Sequence, residues 1–222
     1  MTDDVPTITL LSAPKVGNSI IVGVTCISDF QIDCTIPTNG VTDNQGNTYT
    51  QVAKGEPILS SAQGARSYIY IAEHIGAPSG TFTISVNPNG TVPPNIQQVA
   101  WGAIEVSGLA ASPTLDATGN SPVGGTTQVS TTVTTDLATK QANELAVAVL
   151  SMRSNDTNML ITPETTWVSH HAHQNGSSGP PGHSMVSKIL SATGKISHTW
   201  THDPPTRGVA GTIATFKGAA TN

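Results

Sequence analysis

Four histidines fall between residues 169 and 183, in "SHHAHQNGSSGPPGH". If a strand runs through Trp167, then Trp167, Ser169, His171 and His173 share one face and His170 takes the other. Side chains two apart on a strand can converge on one ion, and zinc accepts such imidazoles. His183 could return from the next strand as a further ligand. No Cys, Asp or Glu stands between residues 165 and 183 to complete the set. The expectation is therefore a polar surface loop, with no metal at His170, His171, His173 or His183. His198, on another strand, is expected to be a hydrogen-bonded core residue.

Other chemistry finds weaker support. Glycoside hydrolysis needs two carboxylates flanking the scissile bond. Glu73, Glu105, Asp116, Glu144 and Glu164 are spread over strand ends, and nothing in their spacing pairs any two of them. Glu105 is expected on the solvent face or bonded to a neighbouring strand. No G-x-S-x-G nucleophile elbow occurs. "DNQGN" at 43–47 lacks the twelve-residue calcium-loop pattern, and a tight turn explains it better. "GSSGPPG" has no phosphate-loop signature. The expectation is a protein that is not an enzyme, with no catalytic, cofactor or metal residues and no cofactor.

The elements that carry these residues are strands. Only 10% of the 222 residues are charged and 4% are aromatic, while Gly and Pro are abundant. That composition suits short strands joined by turns better than helices. "NSIIVGVTCI", "SYIYIAEHI", "NELAVAVLS" and "GVAGTIATFKG" are representative, with Gly, Pro or Asn between most strands. A net charge of −5 with nine scattered basic residues argues against a nucleic-acid partner. No apolar stretch approaches the ~20 residues of a membrane helix, so no membrane partner is expected. The acidic start "MTDDVPTITL" does not read as a secretory signal. Cys26 and Cys34 are the two cysteines. A local bridge and a buried thiol at Cys26 both fit their spacing.

The strands read twice. Asn18 lines up with Asn143, Ser67 with Ser184, Gly80 with Gly194 and Gly108 with Gly218. The offset falls from 125 to 117, 114 and 110. Steady drift is what loop deletions leave in a duplication. The expectation is one domain over 1–222, built from related halves at about 5–110 and 126–220. Its fold class is all-β: an antiparallel two-sheet β-sandwich, jelly-roll-like, with an internal pseudo-twofold repeat. The predicted core sets Ile20, Val22 and Val24 against Leu145, Val147 and Val149, and Tyr49 against Trp167. It also sets Phe82, Ile84 and Val86 against Ile196, His198 and Trp200, and Ile104 and Val106 against Ala214 and Phe216. Trp101 is the best candidate for an exposed aromatic.

"VTDNQGNTYTQVAKG", "RSYIYIAEHIGAPSGTFTISV", "AIEVSGLA" and the closing "ATFKG" follow one another in an order that resembles a widespread group of β-sandwich domains in bacterial and phage proteins. Members carry a D-x-x-G-N-x-Y turn, an E-x-S-G strand end and a closing F-K strand. The resemblance covers most of the chain, and its motifs are structural. It implies no shared catalytic residues. It points to phage structural proteins or to accessory modules of extracellular proteins. Two functions follow as expectations. One is a structural virion protein (head decoration, spike or tail-associated subunit) that binds copies of itself or a capsid or tail scaffold. The other is an extracellular carbohydrate-binding or adhesion module whose partner is a surface glycan.

Overall fold

The structure is a computed structural model. It describes residues 7–10, 12–28, 34–56, 64–88, 98–121, 128–153, 160–173, 182–206 and 208–219. The acidic start at 1–6, the loop residues 174–181 and the side chain of His173 lie outside the described residues.

The described residues form fifteen strands and no helix. In the first half these are β1 (Thr7–Thr9), β2 (Ser19–Ser28), β3 (Val41–Asp43), β4 (Thr50–Gly55), β5 (Gly64–Ala72), β6 (Thr83–Val86) and β7 (Gln98–Val106). β8 (Leu115–Asn120) and β9 (Gln128–Thr134) follow. The rest are β10 (Leu145–Arg153), β11 (Leu160–Pro163), β12 (Val168–His173), β13 (Gly182–Ile189), β14 (Ser197–Thr206) and β15 (Gly208–Phe216). All pairings are antiparallel.

The expectation of two sheets gives way to four, in a sandwich-like stack. Two large central sheets run β4-β5-β2-β7 and β12-β13-β10-β15-β8. Two small sheets run β1-β6-β3 and β11-β14-β9. The central sheets pack on each other: β10 lies on β2 and β5, β15 on β5 and β4, and β12 and β13 on β7. Each small sheet covers the other side of one central sheet.

The sequence explains the layering. A strand with one wet face alternates apolar and polar residues, whereas a strand buried on both faces does not. "SIIVGVTCI" and "LAVAVLSM" do not alternate. Ile20, Val22, Val24 and Cys26 point to the first small sheet, where they meet Phe82, Ile84 and Val86. Ile21 points the other way, into a central layer with Leu145, Val147, Val149, Met185 and Phe216. Ala146, Ala148, Leu150 and Met152 point to the second small sheet, with Trp200.

All the paired core residues of the two β2- and β10-type runs are buried, but not on corresponding faces. Ile20, Val22 and Val24 serve an outer core, while Leu145, Val147 and Val149 serve the central one. A one-residue slip in an alignment flips every side chain of a strand to the other face. Tyr49 and Trp167 each lie in their own half's outer core. Trp101 is buried in the first outer core and not exposed. Alternation along β7 turns Val99, Trp101 and Ala103 to that side.

"DNQGNTY" is a turn. Asp43 Oδ1 accepts the Gln45 and Asn47 amides at 2.9 and 3.1 Å, and Oδ2 accepts Asn47 Nδ2 at 2.9 Å. Gly46 takes a φ of +79°, a conformation that favours glycine. Cys26 and Cys34 form a disulfide, with Cα atoms 5.9 Å apart. It ties β2 to the segment that leads into β3.

Candidate functional site

The four histidines themselves are strand residues, not loop residues. His170, His171 and His173 lie on strand β12, and His183 lies on β13, where it pairs in register with His173. The register slips between Ser169 and His171, so His170 occupies a bulge. His170 stays exposed, with Nε2 2.6 Å from the Ser187 hydroxyl. His171 and His183 turn toward the first half, with ring centroids 5.0 Å apart and planes at 61°.

His183 is fully buried between the central sheets. Its Nδ1 lies 3.1 Å from Thr25 Oγ1, and Thr25 donates to the Ala100 carbonyl at 3.0 Å. A hydroxyl has one proton. Since Ala100 takes it, His183 Nδ1 must donate. The chain His183–Thr25–Ala100 therefore joins the two halves through one imidazole. Gly102 on β7 makes room, because a Cβ there would come within 3.0 Å of His171 Cβ. Sequence spacing could not place β7 beside this segment, so the polar-loop expectation missed the interior position of His183. Among the described residues, no three His, Cys, Asp or Glu side chains gather closely enough to hold a metal ion.

A second histidine cluster sits in the outer core of the second half. His198, Trp200 and His202 alternate along the inward face of β14. The His198 ring lies 4.6 Å from the Trp167 ring and 4.2 Å from that of Trp200, at 55° and 88°. His198 is a core residue, but it is not hydrogen-bonded as expected: neither ring nitrogen has a partner among the described residues. Glu164 Oε2 approaches Nδ1 only to 3.9 Å. Burial pushes the His198 pKa down to about 4, helped by the charge of Lys188. His202 Nε2 lies 3.1 Å from the Thr131 hydroxyl, and burial lowers its pKa also.

Two of the five scattered carboxylates do pair. Asp116 on β8 and Glu144, just before β10, sit together with buried side chains. Burial raises the Glu144 pKa, and the neighbouring Asp116 raises it further, against a hydrogen bond with Thr215. Asp116 goes the other way. Burial opposes its ionisation, but the Lys140 amide (2.7 Å from Oδ2), the Glu144 carboxyl and the Lys140 ammonium outweigh it. Two carboxylates in contact favour one shared proton over two charges. With its pKa raised, Glu144 takes up the first proton as pH falls, and Asp116, with its pKa lowered, keeps its charge longer. The pair is 28 positions apart in sequence and meets only because β8 and β10 flank β15.

The other carboxylates act as local clamps. Glu105 Oε1 accepts the Lys15 amide at 2.7 Å and Asn18 Nδ2 at 2.5 Å, tying the lead into β2. Glu73 Oε1 accepts the Thr114 amide and hydroxyl at 2.7 and 2.6 Å. Its pKa is lowered: burial opposes this, but the bonds from Ser112 and Thr114 prevail. Glu164 Oε1 accepts the Thr199 amide at 3.0 Å.

These elements define a layered all-β, sandwich-like protein whose ionisable clusters are enclosed between sheets. No protein-family model, no curated protein and no solved structure matches the chain.

Proposed function

We propose that this chain is a non-enzymatic structural subunit of a phage particle, a head decoration, spike or tail-associated protein, that acts through contacts with other protein subunits. The observation that carries the reading is the make-up of the outer faces. Thr132 and Thr199, and Thr134 and Ser197, pair hydroxyl to hydroxyl across strands at 2.9 Å, and Thr9 and Thr83 do so at 3.4 Å. A hydroxyl already paired with its neighbour keeps that bond when water leaves, so covering such a face costs little. Interface centres are likewise depleted in Lys, Glu and Asp. The turn, strand-end and closing-strand motifs resemble those of phage structural domains. The Cys26–Cys34 disulfide suits a protein that works outside the reducing cytoplasm.

The reading includes an internal duplication with a pseudo-twofold axis. Under it, β4-β5-β2-β7 corresponds to β12-β13-β10-β15, and β1-β6-β3 to β9-β14-β11. Both β4 and β12 carry a bulge, at Val52 and at His170, in the same place in the pairing. With the alignment shifted by the one residue that brings the faces into correspondence, Gly23 is set against Val149, at an offset of 126, and the two face each other across the central layer. A twofold axis brings equivalent residues together in this way.

Purified chain, mixed with virions or capsids of its source phage, is expected to co-sediment with them. Retention on a glycan column without any co-sedimentation would instead favour a carbohydrate-binding module.

A further inference from the structure

Among the described residues, the two central sheets have four edge strands, and three of them are interrupted. β4 slips between Gln51 and Ala53, β12 between Ser169 and His171, and β8 where it meets Thr215 and Phe216. β8 is also held from outside: Thr118 O accepts the Asp136 amide at 2.8 Å, and Gly119 lies against the Thr134 backbone. β7 differs. It pairs with β2 over nine residues in unbroken register, from Ser19↔Val106 to Ile27↔Gln98. It has no Lys, Arg or Pro, and its one charge, Glu105, is clamped to Lys15 and Asn18. Protein edges are ordinarily blunted by bulges, lysines or prolines, and β7 has none of these.

Apolar side chains lie uncovered on the same flank. The central face of β12 and β13, on which β7 rests, carries Val168 and Ile189, 60% and 69% exposed. At the opposite flank β8 packs on β4, and Leu115 joins the central core beside Val52. Among the described residues, the five-stranded sheet thus extends one strand past β15, and the four-stranded sheet stops at β7.

We infer that β7 is a pairing edge for a second copy of this chain. Two copies pair β7 to β7, antiparallel about a twofold axis, and the four-stranded sheets become one of eight. The added strand lies over Val168. Identical strands are self-complementary under a twofold axis. Antiparallel pairing about the strand centre sends each Glu105 to an opposite end of the seam, so the carboxylates do not face each other. Ala100, Gly102 and Ile104, which face the central layer, bring no charge onto Val168. The β8–β15 pairing shows that these sheets accept an antiparallel edge strand. The inference rests on the reading of the chain as a subunit that binds other subunits.

Sedimentation equilibrium of the full chain at tens of micromolar tests it. The expected mass is twice 22.8 kDa. Ala103→Lys places like charges in the seam and is expected to weaken the dimer about ten-fold or more. Val168→Asp acts in the same direction on an exposed position, and carries the test if Ala103→Lys lowers the melting temperature sharply. Leu137→Asp, at a turn residue 68% exposed, leaves the dimer unchanged. A monomer at every concentration, or a dimer indifferent to both seam variants, would overturn the inference. A monomer that still co-sediments with virions removes this edge and keeps the subunit reading. A β7-dependent dimer that never co-sediments keeps the edge and removes that reading.

Discussion

Gly23 lies directly under Val149: a Cβ built at residue 23 would stand 2.7 Å from Val149 Cγ2 and 3.1 Å from Met185 Sδ. The two central sheets approach closely here because one of them presents no side chain. Close-packed interiors leave little room for an added methyl.

Gly23→Ala is therefore expected to destabilise the fold by ~1–3 kcal/mol. Pairing it with Val149→Ala restores room for the methyl. The double variant should be more stable than the sum of the single effects implies, by ~0.5–3 kcal/mol. Urea unfolding of the four proteins measures this, and strict additivity would mean that the sheets do not meet at this point.

His198 predicts an acid limb in stability. Its folded pKa is about 4 against an ordinary 6.5, so the fold holds it neutral. A depressed pKa contributes stability that is complete above pH 6.5 and is lost as pH falls through the folded value. The loss amounts to ~3 kcal/mol. The facing groups are Trp167, Trp200, Glu164 and Lys188. His198→Phe should unfold less steeply between pH 6.5 and 4 than the wild-type chain. Equal slopes for the two proteins in urea titrations would contradict the assignment.

Glu144 predicts the opposite trend. Burial and Asp116 raise its pKa, so its contribution is complete below the unfolded value and is lost as pH rises through the folded one. Glu144→Gln keeps the shape and a donor toward Asp116 without an ionisable proton. It should melt higher than wild type at alkaline pH, with the gap closing on acidification. Asp116→Asn should instead destabilise near neutrality, because it weakens the acceptor for the Lys140 amide.

Much of the strand layout is legible in the residues. "SIIVGVTCI" and "LAVAVLSM" announce strands buried on both sides, and Asp43, Gly46 and Asn47 announce their turn. Tyr49 and Trp167 are readable as core residues. What fails is what depends on partners distant in sequence. Trp101 reads as a lone aromatic until alternation along β7 is set against a small sheet from elsewhere in the chain. His183 reads as loop because its partner, Thr25, is 158 positions away. Asp116 and Glu144 pair through a strand from the far end of the chain. The face served by Leu145 rather than Ala146 turns on a one-residue slip, and weak identity does not fix such a slip.

The proposed role is tested most directly by counting this chain in particles. Virions of a phage that encodes this chain, purified on a density gradient, would be analysed by quantitative mass spectrometry across the fractions. The account predicts a constant copy number relative to the main shell or tail protein wherever particles band. A chain absent from the particle band and recovered only among soluble proteins would contradict it.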